Sequence, residues 1–123
     1  PALRQAGIDL DRLLIIHAED DATACWSMEH CLRNPAIGAA LGWLTPRNAH
    51  ALRRLQLAAE DGDSLGIVYR PAAAARNPSP AALRLRLRPR PADADTYMEV
   101  EILKRRAGVA AAPLWLAPRH AVA

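Results

Sequence analysis

The chain switches between three kinds of hydrophobic pattern. In "ALRLRLRPRP", residues 82–91, leucine alternates with arginine before the run stops on prolines. Strict alternation marks a strand with one covered face. A second alternating strand is predicted at 97–104, and a short one, "LWLA", begins at Leu114. Upstream the pattern is different. "LDRLLIIHA" contains a continuous apolar run at 13–16, "AIGAALGWL" is a second buried run, and "SLGIVYRP" is a third, closed by Pro71. Such runs suit strands covered on both faces of a parallel sheet. Helical stretches separate them. In the first, Asp20 or Asp21 supplies an N-cap and Arg33 and Asn34 mark the end; in the second, Thr45 is the N-cap, Pro46 lies in the first turn and Gly62 is the terminator. The order strand–helix–strand–helix–strand with short connections predicts three parallel strands with crossover helices over residues 1–70. Residues 71–123 then form an Ala- and Pro-rich loop and an antiparallel hairpin, all within one domain.

Side-chain matching predicts the hairpin register. With Arg88 opposite Tyr97, Leu87 faces Met98, Arg86 faces Glu99, Leu85 faces Val100, Arg84 faces Glu101 and Leu83 faces Ile102. Every leucine then meets an apolar residue and two arginines meet glutamates. Arg84 and Arg86 therefore read as a solvated, partnered face. Arg88 and Arg90 have no such partners, nor has the run Lys104, Arg105, Arg106, so these remain candidates for phosphate or an acidic partner.

Charge distribution sharpens that reading. Residues 1–70 hold seven Lys/Arg against nine Asp/Glu, whereas 71–123 hold nine against four. The basic surplus of the whole chain, +3, thus belongs to its C-terminal half. A chain of 123 residues that is 51% hydrophobic can bury a core, built here without phenylalanine. Cys25 and Cys31 are six apart, about 240° around a helix, which argues for free thiols in a cytoplasmic protein. No apolar run reaches membrane-spanning length. The opening "PALRQAG" reads as the end of a helix stopped by Gly7, as if an N-terminal part were missing.

Catalytic chemistry is not indicated. The four histidines, at 17, 30, 50 and 120, lack metal-ligand spacing. "HAEDD" at 17–21 could hold Mg²⁺, but helix capping by Asp20 and Asp21 is the better explanation. Phosphate-loop and nucleophile-elbow motifs are absent from these residues. No enzyme activity, cofactor or metal is expected, and ATP turnover is not expected either.

Several segments together, "GIDLDRLLIIHAEDDATACWSMEHCLR", "AIGAALGWL", "RLQLAAEDGDSLGIVYRP" and "VEILKRRAG", resemble ImuA, a RecA-like and SulA-like group of accessory proteins in DNA-damage-induced mutagenesis. The resemblance runs from about Gly7 to about Gly108 and rests on order and spacing rather than on one motif. It implies a partial RecA-like, P-loop NTPase-type three-layer fold and a non-catalytic role in SOS translesion synthesis. Its implied partners are an ImuB-type polymerase-like protein, RecA and an error-prone replicative polymerase complex, with possible DNA contact and no membrane. The portion "GWL…LQLAAEDG…LGIVYRP" is also similar to SulA, which gives the alternative of a cell-division inhibitor binding the tubulin-like division protein. The hairpin and "LKRR" favour the first reading.

Partner-contact candidates follow from helix geometry. On the first helix Ala24, Cys25, Met28, Cys31 and Leu32 share one side, and Trp26 lies nearly opposite with Glu29, His30 and Arg33. On the second, Leu52, Leu55, Ala58 and Ala59 face the sheet while Arg47, His50 and Arg54 form the outer side. The candidate contact residues are Trp26, Arg88, Arg90, Lys104, Arg105 and Arg106.

Overall fold

The structure is a computed structural model that describes residues 2–45, 49–89, 98–108 and 112–116. A short helix, α1 (Ala2–Gln5), ends as the sequence predicts: Gly7 takes φ 83°, Gly7 N–H donates to Arg4 O, and Ile8 N–H donates to Leu3 O. These are the two bonds of a Schellman cap, which needs a left-handed residue at this position. A 3-10 turn, Leu10–Arg12, follows with Asp9 as its cap.

The apolar run at 13–16 is not a strand, contrary to expectation. It carries no regular structure and leaves Leu14, Ile15 and Ile16 about half exposed or more. Its composition is that of a buried strand, but a strand exists only where a neighbour supplies ladder bonds. The parallel sheet therefore has two described strands, not three: β1 (Ala39–Trp43) and β2 (Leu65–Tyr69), paired in parallel from Ala39↔Leu65 to Trp43↔Tyr69.

Two helices cover one face of that sheet, α2 (Asp21–Arg33) and α3 (Ala49–Asp61). Asp20 caps α2 with its carboxylate accepting Thr23 N–H at 2.7 Å, as predicted. The described part of α3 begins at Ala49, and Thr45 N–H donates to Asp21 Oδ1. The predicted cap at Thr45 and first turn at Pro46 involve residues 46–48, which lie outside the described residues, as does Arg47. The core is small: Met28, Leu32, Leu44, Leu55 and Ala58 are buried, with Ala24, Cys25, Ala40, Ala59 and Val68 packed around them.

Glu29, placed outward by helical periodicity, points inward instead. It is only 8% exposed, and it accepts from Arg33 at 3.1 Å and from Arg54 on α3. Glu29 and Arg54 thus lie at the seam between the helices. The seam is tightest at their C-terminal ends. Ser64 Oγ donates to Leu32 O at 2.7 Å, and Gly62 sits against the same carbonyl.

The second sheet is antiparallel, with order β3 (Leu83–Pro89), β4 (Met98–Arg105), β5 (Leu114–Leu116). Leu85 and Leu87 meet apolar partners, Ile102 and Val100, but Leu83 lies opposite Arg105 rather than Ile102, and from Leu85 onward the register is displaced by two residues from the predicted one. Arg86 faces Glu101, Leu87 faces Val100 and Arg88 faces Glu99. A two-residue displacement keeps every side chain on its face, so pattern alone does not discriminate against it. An irregularity between Arg84 and Leu85 then brings Arg84 opposite Lys104 rather than Glu101. Arg84 donates instead to the carbonyls of Ala74 and Ala75, at the end of the 3-10 turn Ala72–Arg76.

Charge reversal tests this register. Arg86 Nη1 lies 3.0 Å from Glu101 Oε2, both partly exposed. Arg86→Glu is expected to lower stability by about 0.5–1 kcal/mol, and adding Glu101→Arg to recover most of it. Adding Glu99→Arg in place of Glu101→Arg is expected to recover little. Urea denaturation of the single and double variants reads the difference, and equal rescue at both positions would reject the register.

The chain is accordingly mixed α/β, with a parallel sheet under two helices and a separate antiparallel sheet. No described helix is long and apolar enough to cross a membrane.

Candidate protein-interaction surface

The side chains of β1 and β2 alternate in size as well as direction. Ala40, Gly42, Gly66 and Val68 point toward the helices, where Met28 Sδ lies 3.4 Å from a Cβ built at Gly42 and the Leu32 methyl groups lie 3.4 Å from one built at Gly66. The large residues point the other way. Leu41, Trp43, Leu65, Ile67 and Tyr69 form the opposite face and remain 56, 79, 58, 36 and 38% exposed. Small residues let α2 approach closely, and the bulk is displaced onto a face that nothing described covers. A contiguous apolar face of this kind is a candidate interaction surface.

Aromatic residues concentrate at one end of it. Trp43 and Tyr69 stack with ring centroids 5.1 Å apart and planes 18° apart. They stand at the carboxyl ends of β1 and β2, where crevices form in parallel sheets. A cleft of about 430 Å³ opens there, lined by Trp43, Leu44, Thr45, Tyr69, Arg70 and Pro71.

The predicted contact residues fall on other elements. Trp26 is 56% exposed on α2 and rests against the His30 ring at 3.9 Å between centroids, while His30 Nδ1 lies 2.9 Å from Trp26 O. The basic positions are more engaged than the sequence suggests. Arg88 lies 3.6 Å from Glu101, Lys104 donates to Ser79 O at 2.8 Å, and Arg106 lies 3.4 Å from Glu60. Arg105 also has a partner. Arg84, Lys104 and Arg106 therefore fasten the hairpin to the 71–81 segment and to α3. Arg90 lies outside the described residues.

The described residues contain no cluster of three His, Cys, Asp or Glu side chains placed to hold a metal. Cys25 and Cys31 are free thiols, and burial, reinforced by the nearby Asp21 carboxylate and opposed by Arg54, raises the Cys25 pKa above the ordinary thiol value.

Sequence reasoning missed the bare sheet face. Its signal is present in "AALGW" and "LGIVY", where large and small residues alternate, but both runs read as uniformly buried.

No family model matches the chain. It is similar to the cell division inhibitor SulA of Photorhabdus laumondii, 30% identical over 77 residues, which cover 63% of this chain and 44% of that protein. It is also similar to the cell division inhibitor SulA of Edwardsiella piscicida, 32% identical over 69 residues, 56% of this chain and 41% of that protein. The chain thus spans less than half the length of these curated relatives. A crystal structure of SulA from Pseudomonas aeruginosa is 28% identical with a TM-score of 0.49, covering 56% of this chain and 59% of that one. These names correct the ImuA resemblance. Both curated relatives are named as SulA division inhibitors, so the role in translesion synthesis and the partners it implied, an ImuB-type protein, RecA and an error-prone polymerase, are set aside. The hairpin and "LKRR", which favoured that reading, do not outweigh a likeness spread over 77 residues.

Proposed function

We propose that this chain is part of a SulA-like inhibitor of cell division in the bacterial SOS response, acting without catalysis by binding the tubulin-like division protein in the cytoplasm. The observation that carries the reading is the identity of 30% over 77 residues with a protein named for that activity. The apolar sheet face supports it, because an inhibitor that works by binding needs a contact surface rather than an active site. Trp26, Arg88, Arg90, Lys104, Arg105 and Arg106 are proposed contact residues. The same reading keeps all 123 residues in one domain.

The test is direct binding. The full chain, immobilised, is expected to retain the purified tubulin-like division protein at micromolar concentration. Its expression in a rod-shaped bacterium is expected to produce filaments with normal DNA content. Absence of binding in the first measurement overturns the proposal.

A further inference from the structure

The buried core does not reach the second sheet. It is formed by α2, α3, Leu44 and the parallel sheet, and Val100, the buried residue of β4, stands outside it. The second sheet has two unlike faces. Arg84, Arg86 and Arg88 point to one side, where they meet Ala74 O, Ala75 O and Glu101. Leu83, Leu85 and Leu87 point to the other, with Leu114 and Leu116 of β5 beyond β4, and all five are about half exposed. The chain thus carries two bare apolar faces, this one and that of β1 and β2. A sheet with an apolar face is stable when another layer buries it. The face of β1 and β2 has no charged side chain, and neither has the centre of the other, Leu85, Leu87, Val100 and Ile102; Arg105, opposite Leu83, lies at its rim. Pressing the two together therefore strands no ion.

We propose that the chain closes on itself: the antiparallel sheet swings about segment 70–82 until its leucine face covers the bare face of β1 and β2, and the Arg106–Glu60 pair holds the open form. Arg106 lies 3.4 Å from Glu60 on α3, and both side chains are more than half exposed. An exposed pair of this kind is weak and opens readily. Reach is sufficient. Even with its 3-10 turn kept, the segment from β2 to β3 spans roughly 30 Å when otherwise extended, against about 10 Å between stacked sheets. Chain continuity favours this occupant over a second copy, because a tether of this length holds the two faces at an effective concentration in the millimolar range. The strands are also of similar length, five residues on β1 and β2 against seven on β3, as face-to-face stacking needs. Closure withdraws from solvent the face offered to a partner, so the closed form is autoinhibited. That consequence rests on the functional reading above; the closure itself does not.

The experiment is disulfide trapping in the full chain, with Cys25→Ala and Cys31→Ala removing the native thiols. Ile67→Cys is combined in turn with Leu85→Cys, with Leu87→Cys and, as the control on the opposite face of β3, with Arg86→Cys. A disulfide needs Cα atoms within about 7 Å of each other, so the bond reports contact of the faces. At low micromolar protein with oxidised glutathione, at least one leucine-face pair is expected to close an intrachain disulfide about tenfold faster than the control, at a rate independent of protein concentration. Adding Arg106→Gln is expected to raise that rate about threefold. Thermal melting of each variant checks that the fold is retained. Acrylamide quenching of Trp43 keeps the test open if a cysteine variant fails to fold. In a chain carrying Trp26→Phe, Trp115→Phe and Arg106→Gln, the quenching constant is expected to rise about twofold with Leu85→Arg, a side chain that resists burial against an apolar face. Links formed only between chains, trapping no faster than the control, or quenching unchanged by Leu85→Arg would each overturn the closure. A trapping rate unchanged by Arg106→Gln would overturn the latch that makes it a switch. No partner protein enters either measurement, so these outcomes are separate from whether the chain binds the division protein.

Discussion

Replacing Gly62 by alanine is expected to lower the unfolding free energy by about 3 kcal/mol, which corresponds to a Tm lower by roughly 10 °C. A Cβ at this position would lie 1.9 Å from Leu32 O and 2.9 Å from Leu32 C. The obstacle is backbone at the end of α2, so no side-chain rotation relieves it. Either α2 or α3 must shift, and the helices share a seam with Ala58, Leu32 and the Ser64–Leu32 hydrogen bond. Gly62 is not held by its φ angle. The left-handed residue at this helix end is Asp63, with φ 48°, and the Ser64 N–H to Ala59 O bond at 3.0 Å completes the cap around it. The effect of Gly62→Ala is therefore steric. Gly38→Ala is the matched control: a Cβ there meets nothing within 4 Å, and its cost is expected to stay within about 0.5 kcal/mol. Thermal and urea denaturation of both variants measure the contrast. Equal stability of the two would show that the helix ends do not meet at Gly62.

Gly62 also shows how far sequence reasoning reaches. A glycine after a helical stretch correctly marks the end of α3, but its usual reason, a left-handed backbone, belongs to the next residue. The close approach that requires glycine is a tertiary contact between residues thirty positions apart, and local pattern has no access to it. The same division holds elsewhere. Asp20 as a cap, the inward stripe Ala24, Cys25, Met28 and Leu32, and the parallel pairing of "AALGW" with "LGIVY" depend on local chemistry or strong periodicity, and the fold has them. The run at 13–16 failed as a strand because pairing needs a neighbour. The hairpin register failed by two because that displacement preserves both faces. The bare apolar face, whose large–small alternation is present in the sequence, is missed for a related reason. Burial was inferred from composition, whereas exposure of Trp43 and Leu65 depends on whether a layer stands opposite them. Arg70 stands in the sequence only as the residue before the closing Pro71, and the burial of its unpartnered Nε is visible only once the neighbours are placed.

Glu29 offers the second large effect, through an asymmetry. Its side chain is 11% exposed, while Arg33 and Arg54, which bracket it, are 48% and 49% exposed. Removing the carboxylate leaves two arginines that water can solvate. Removing the arginines leaves a carboxylate that water reaches poorly, and an unanswered buried charge costs more than a lost surface pair. Glu29→Gln is therefore expected to cost about 1–2 kcal/mol, the value of hydrogen bonds to a charged group with the shape retained. The double variant Arg33→Ala/Arg54→Ala is expected to cost about 2–4 kcal/mol, part of it from the arginine stems that cover the seam. Arg33 also lies 3.6 Å from Asp61, but that carboxylate is 62% exposed and contributes little. The informative variant is the triple. Adding Glu29→Gln to the double arginine variant is expected to raise stability by about 1 kcal/mol, so that the same substitution destabilises one background and stabilises the other. Urea denaturation of the four proteins measures the sign change. A Glu29→Gln cost of equal size in both backgrounds would mean that the carboxylate is solvated and that the arginines do not hold α2 to α3 through it.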